Sequence, residues 1–325
     1  MIKNILITGG AGYIGSHVAK VFEKNKKRIF IVDNLETGYR RLINKKAKFY
    51  NVDINDFLKL KKIIIKNKID TIIHLAASIS INESKKNPKK FYKNNVIGTS
   101  VLVKACQNTL IKNFIFSSTA AVYKDTNKKV SEISNVKPKS IYGKTKKKAE
   151  EIIIKNFKNK KINYAILRYF NVVGASNDQT IGPIKKNDTL FKNLSMSILK
   201  KTPIIKVYGS DYKTNDGSCI RDYVHVLDLA DMHYKILQKV DKTKKSIILN
   251  CGYGKGVSVI QAAKAFVKYS RKKINLIYEK RRPGDLASSI ASNKKIKKYI
   301  KWSPKYNNLS TIVRTCIKWE SKLTK

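Results

Sequence analysis

The chain has 325 residues, 42% of them hydrophobic, enough to bury one large core or two modest ones. Its 69 Lys+Arg against 22 Asp+Glu leave a formal net charge of +47 at pH 7. No apolar run approaches a membrane span, and Cys106, Cys219, Cys251 and Cys316 form no Cys-x-x-Cys pair, so neither a membrane partner nor a thiolate metal centre is expected.

So strong a charge raises the question of nucleic acid, because neutralising phosphates supplies most non-specific affinity. Arginine argues against it: there are nine, and fork-shaped reading of phosphate or guanine prefers that residue. The lysines are spread along the chain with no basic arm, so a solvated lysine-rich surface and no nucleic-acid partner are expected. The chain begins directly on a strand pattern with no secretory segment before it, and with its unpaired cysteines this suggests the cytoplasm.

Taken in order, residues 3–10, 28–34, 47–54, 70–77, 113–119 and 163–171 read as strands. Between them, 15–27, 56–67, 94–108 and 143–160 carry apolar residues at helical spacing. Strands apolar on both faces and separated by helices predict an α/β fold, a Rossmann-type doubly wound parallel sheet. After residue 170 the pattern loosens into Gly/Asn/Asp-rich loops. The expected division is a Rossmann domain over 1–170 and a smaller substrate-binding lobe over 171–325. The segment 221–252 is expected to pack back on the sheet.

The first strand runs into Gly9, Gly12 and Gly15 and then a helix. Such glycines allow a tight turn, backbone approach to a pyrophosphate and close packing of helix on strand, and the helix N-terminus faces the anion. Asp33 ends the second strand about 20 residues after Gly12, where a carboxylate accepts from a ribose 2′-OH. A 2′-phosphate would be repelled there, so the cofactor expected is NAD.

Tyr-x-x-x-Lys occurs twice among 17 tyrosines, at Tyr142/Lys146 and Tyr269/Lys273, about what chance yields in so lysine-rich a chain. Context separates them. Tyr142 opens a helix after the strand ending in Ser117, Ser118 and Thr119, whose carboxyl end should face a ligand. Tyr269 closes an ordinary amphipathic helix. Bringing a phenol from pKa about 10 to neutrality costs about 4 kcal/mol. One ammonium at about 4 Å supplies about that much at an effective dielectric near 20. Lys146 is therefore expected to make Tyr142 acidic together with the positive nicotinamide ring, against desolvation of the phenolate.

The ordered set T-G-G-x-G-Y-I-G-S-H, "HLAA", "NNVIGT", "FIFSST", "YGKTK", "LRYFNVVGA", "RDYVHVLDLA" and "RRPGD" resembles the extended short-chain dehydrogenase/reductase family, and within it the UDP-glucose (UDP-galactose) 4-epimerases. The resemblance implies that Tyr142 takes a proton from the sugar 4-hydroxyl while hydride passes to NAD⁺. The transient 4-keto sugar then turns over and hydride returns to its other face. It implies that Thr119 binds the 4-oxygen and that Lys146 tunes Tyr142 and holds the nicotinamide ribose. Besides the residues above, Tyr13, Ile14, Asn34, Asp53, Ile54, Leu75, Ala76, Ala77, Asn95, Ser117 and Phe170 are expected to line the NAD site. Asn171, Tyr208, Arg221, Arg282, Asp285 and Ser289 are expected on the UDP-sugar side, and a homodimer is implied.

Ala120 and Ala121 replace the acidic pair of related dehydratases, so dehydration is disfavoured. Ile79 and Lys124 replace a lysine and a glycine of many relatives, and "NDTLFKNL", around 187–190, replaces an asparagine-rich sugar-nucleotide stretch. Ser289 stands where relatives restricted to plain hexoses carry a tyrosine, so N-acetylated sugars are expected to be accepted. The alternatives are a UDP-pentose or UDP-uronate 4-epimerase, or a non-catalytic dinucleotide-binding or nucleic-acid-associated protein.

Overall fold

The computed structural model describes residues 2–158, 161–184, 189–282 and 285–324. Within these the chain divides into two compact units. One comprises residues 1–124, 135–169 and 230–249; the other comprises 125–134, 170–229 and 250–325.

The first unit is built on β1 (Asn4–Thr8), β2 (Arg28–Asp33), β3 (Lys48–Asn51), β4 (Thr71–His74), β5 (Asn113–Thr119) and β6 (Asn163–Tyr169). Their five pairings are all parallel. The seventh strand of the sheet is Ile247–Cys251 (β10 in chain order), and the strand order is β10-β6-β5-β4-β1-β2-β3. Strand order reverses between β2 and β4 on either side of β1, the point at which ligands sit beyond the carboxyl ends of such a sheet. The helices are α1 (Tyr13–Lys24), α2 (Phe57–Lys66), α3 (Ile81–Lys86), α4 (Pro88–Tyr92), α5 (Gly98–Cys106) and α6 (Ile141–Phe157). Leu6, Phe30, Leu60, Ile72, Leu102, Phe114, Phe116, Ile153 and Phe157 form one buried cluster between sheet and helices.

The expected doubly wound parallel sheet is present. The segment between β4 and α5 is more ordered than its sequence suggests. Ser80 accepts the Glu83 N–H at 3.1 Å to start α3, Pro88 opens α4, and a wider π-type turn over Lys93–Ile97 leads into α5. Such short pieces show too few turns for a helical period to appear.

In the second unit β7 (Asn171–Val173) and β11 (Gly256–Ser258) pair with β9 (Ile220–His225), as does β13 (Ser288–Ser289). β8 (Ile204–Tyr208) pairs separately with β12 (Asn275–Glu279). Its core gathers Val173, Phe191, Leu194, Val207, Tyr223, Phe266 and Val313. α7 (Leu190–Ile198), α9 (Val259–Ser270), α10 (Lys294–Ile300) and α11 (Leu309–Leu323) complete it, while α8 (Val226–Thr243) passes from this unit into the first. No helix among the described residues is long and apolar enough to cross a membrane.

Candidate active site

The turn after β1 is shaped by glycine. Gly9 has φ +72°, and a Cβ there would lie 2.6 Å from the Ala76 backbone nitrogen. A Cβ on Gly15 would lie 2.2 Å from the Gly9 oxygen, so any side chain would push α1 away from the turn. Gly12 caps α1 without a side-chain hydrogen bond, and the first turn carries no acid, so its positive dipole end suits an anion. Tyr13 and Ile14 sit half-exposed in that first turn.

Asp33, 8% exposed at the end of β2, accepts the Ala11 N–H at 3.0 Å and the Leu35 N–H at 2.9 Å. Burial raises its pKa, and these two backbone donors lower it. Asn34 donates to Asp53 at 3.0 Å, Ile54 packs under Gly98, and Leu75, Ala76 and Ala77 follow β4 half-buried. A helix N-terminus beside a glycine turn, with a carboxylate at the neighbouring strand end, fits a dinucleotide. Two of the expected lining residues are engaged within the protein. Asn95, 2% exposed, accepts the Ser78 N–H at 2.8 Å and donates to the Ser78 oxygen and Thr145 Oγ1, both at 3.0 Å. Ser117 donates to the His74 oxygen at 3.1 Å.

Tyr142 is brought to the end of β5 by local geometry. Ser140 caps α6 by accepting the Gly143 N–H at 3.0 Å. A Cβ on Gly143 would lie 2.3 Å from the Ala121 oxygen, so only glycine lets the first turn of α6 approach the residues after Thr119 so closely. The Thr119 hydroxyl hydrogen-bonds Tyr142 and accepts the Ala121 N–H at 3.2 Å. Lys146, buried one turn further along, sets its Nζ 4.2 Å from the centre of the Phe116 ring.

The charge poise of this pair is set by burial, the effect expected to oppose Lys146 and the nicotinamide ring. Burial pushes the Tyr142 phenol up to about 12, and the Thr119 hydrogen bond offsets only part of that. Burial pulls Lys146 down to about 7, with Glu150 opposing. Desolvation penalises both charged forms, so in the protein by itself Lys146 does not make the phenol acidic. The other pair differs in every respect. Tyr269 is 40% exposed in the last turn of α9, and Arg271 ends that helix at φ +59° before Lys273.

In the second unit Arg221 donates to the backbone oxygens of Ile220 (2.9 Å) and Leu286 (2.8 Å) and pairs with Asp285 at 3.4 Å. Arg282 pairs with the same carboxylate at 3.3 Å and lies 4.4 Å over the Tyr208 ring. Ser289 is the strand partner of Arg221. The structure thus gathers Tyr208, Arg221, Arg282, Asp285 and Ser289, two cations and an aromatic face suited to a nucleoside diphosphate. Asn171, exposed, pairs with Tyr223 on β9, and Phe170, buried, donates its N–H to the Cys251 oxygen at 3.3 Å. Of the stretch around 187–190, Asn187 and Asp188 lie outside the described residues, as do Pro283 and Gly284 of "RRPGD".

Residues 5–252 match the model of the NAD dependent epimerase/dehydratase family. The chain belongs to this family. It is 38% identical to the UDP-glucose 4-epimerase of Lactobacillus helveticus over 97% of this chain and 96% of the relative. A UDP-glucose 4-epimerase structure from Stenotrophomonas maltophila, with bound NAD and formylated UDP-arabinopyranose, superimposes with TM-score 0.95. Its identity is 31%, with 99% of each chain covered. The UDP-Glc/GlcNAc 4-epimerase of Campylobacter jejuni gives TM-score 0.86 at 38% identity, covering 98% of this chain and 99% of that one.

Sequence reasoning missed a charged cluster behind Tyr142 and Lys146. Glu150 accepts from Arg168 Nε (3.0 Å) and Nη2 (2.7 Å) and from the Ser118 hydroxyl. Arg168 also donates to the Tyr123 hydroxyl at 3.0 Å. The signal was available: Glu150 is four residues after Lys146, and Arg168 interrupts an otherwise apolar strand.

Proposed function

We infer that this chain is an NAD-dependent UDP-sugar 4-epimerase, inverting C4 of a UDP-hexose through a transient 4-keto sugar. The observation that carries the reading is Thr119 hydrogen-bonded to Tyr142, with Lys146 one helical turn on, in the same unit as the glycine turn and Asp33. The glycine turn and the N-terminus of α1 would hold the pyrophosphate, and Asp33 the adenosine ribose. NAD⁺ bound there would supply a hydride acceptor and donor for the sugar C4 and a positive ring that favours a phenolate at Tyr142.

Thr119 orients the 4-hydroxyl, and Tyr142 takes its proton as the C4–H bond breaks, leaving a ketone. After the sugar turns over, Tyr142 returns the proton to the new 4-oxygen. With the resting phenol near 12, the pair becomes a competent base only when further positive charge arrives. Ala120 and Ala121 offer no acid for a leaving hydroxyl, so water is retained. Arg221, Arg282, Asp285, Tyr208 and Asn171 hold the UDP-sugar, while Asn95 and Ser117 shape the site from behind.

Purified protein incubated without added NAD is expected to interconvert UDP-glucose and UDP-galactose, and to release NAD on denaturation. No interconversion of any UDP-sugar in a panel that includes UDP-arabinose and UDP-uronates would reject the reading. The pentose belongs in the panel because of the formylated UDP-arabinopyranose bound by the Stenotrophomonas relative. Ser289, small and half-buried beside Arg221, supports acceptance of N-acetylated sugars. Ser289→Tyr is expected to lower the N-acetyl to plain-hexose rate ratio at least ~10-fold, since a misfit side chain in a pocket discriminates by about 1–3 kcal/mol. An unchanged ratio would remove the assignment. The functional unit is a homodimer working in the cytoplasm, which light scattering and cell fractionation test directly.

A further inference from the structure

We propose that the buried Glu150–Arg168 ion pair is a positioning device for Lys146. Glu150 shares its charge between Arg168 and Lys146 and so keeps an ammonium in a dry site, while its bond to Ser118 fixes the strand end that carries Thr119. The proposal rests on the role given to Lys146 above.

The geometry has three parts. First, Lys146 and Glu150 are i and i+4 on α6 and are both buried, so their side chains are neighbours on the face turned to the sheet. Second, the side chains of Glu150 and Arg168 are each 5% exposed, and the guanidinium grips the carboxylate by two donors. Removing one partner of such a pair leaves a buried charge, so the pair persists as a unit. Third, Ser118 donates to the same carboxylate and is the residue before Thr119, tying α6 to the end of β5 at the point of chemistry.

The other groups around Lys146 cannot take over this task. His74 on β4 is pushed down to about 3, by burial first and Lys146 second, and is engaged by Thr8 and Thr99. It stays neutral at working pH. Phe116 on β5 offers only its ring face, and Tyr142 on α6 is a neutral phenol at rest. Glu150 is the anion that acts on Lys146.

A merely structural ion pair and a charge-setting one differ in sign. Protein labelled with ¹³Cε-lysine is expected to show one lysine resonance titrating near neutrality, assigned by its loss in Lys146→Met. Glu150→Gln removes the favourable anion, so that titration is expected to move down by about one pH unit. Arg168→Gln frees the carboxylate for Lys146, so it is expected to move up. Arg168→Lys keeps the charge but loses the fork, and is expected to lower Tm with the titration unmoved. In turnover, Glu150→Gln is expected to bring the alkaline fall of kcat to lower pH, with KM unchanged. If Glu150→Gln does not fold, the upward shift in Arg168→Gln decides alone.

An unmoved resonance in the variant that folds overturns the proposal, as does movement in the same direction in both. These outcomes are read without substrate. They therefore stand apart from failure of the epimerase reading, which would appear as no interconversion of any UDP-sugar by the wild-type protein.

Discussion

Tyr142→Phe is expected to retain about one part in 10² to 10⁴ of wild-type turnover, the span that one positioned proton-transfer group contributes. The substitution removes a single oxygen. Gly143 still packs on the Ala121 oxygen and Ser140 still caps α6, so the helix and Lys146 stay where they are. Thr119 loses a partner but keeps the Ala121 N–H. NAD content and UDP-sugar affinity are therefore expected to stay near wild type, with the loss falling on kcat. In the wild type kcat should rise with pH as the phenol ionises in the complex. It should fall again when Lys146 loses its proton, because both positive charge and phenolate are needed. Undiminished turnover in the Phe variant would remove Tyr142 from the reaction, whereas a dinucleotide-binding protein without catalysis has no turnover to lose.

How much of this was legible beforehand depends on the range of the interactions. The sheet was readable because β1, β2, β4 and β5 are apolar on both faces, a pattern that only a doubly covered parallel strand requires. The glycine turn was readable because its constraint is local, as the clash of a Gly15 Cβ with the Gly9 oxygen shows. The choice between the two Tyr-x-x-x-Lys pairs also came from neighbours in sequence.

What was not legible involves partners distant in the chain or the cost of burial. The sequence set the attraction of Lys146 and a nicotinamide ring against desolvation of the phenolate, without the depth of burial that sizes the last. Burial of both groups reverses the balance and cannot be read from spacing. Arg168 meets its partner, Glu150, 18 residues earlier in the chain, only once α6 is laid against β6. Asn95 was expected at the cofactor, but its amide also holds Ser78 and Thr145, so it steadies the first turns of α6 from across the unit. The assignment of residues 125–134 to the second unit follows from non-local contacts such as the Val130–Ile290 backbone bond at 3.0 Å.

Arg221→Met is expected to raise KM for the UDP-sugar by roughly 30-fold to several thousand-fold, the equivalent of the 2–5 kcal/mol that truncating one member of a hydrogen-bonded charge pair costs. Arg221 has two tasks. One guanidinium nitrogen donates to the Ile220 and Leu286 oxygens, joining β9 to the segment before Ser289, while the other meets Asp285. Methionine keeps part of the stem's packing and loses all of these donors, so a diphosphate would lose its cation and Asp285 would be held by Arg282 alone. Arg282→Met is the informative contrast. Arg282 is exposed, and its links are a 3.3 Å ion pair and a stacked contact with Tyr208, interactions worth about 0.5 kcal/mol each at such sites, so only a several-fold change is expected. Isothermal titration with UDP alone separates affinity from chemistry. Equal and small losses in the two variants would place the diphosphate elsewhere, whereas a large loss confined to Arg221, with kcat preserved, ties nucleotide binding to β9.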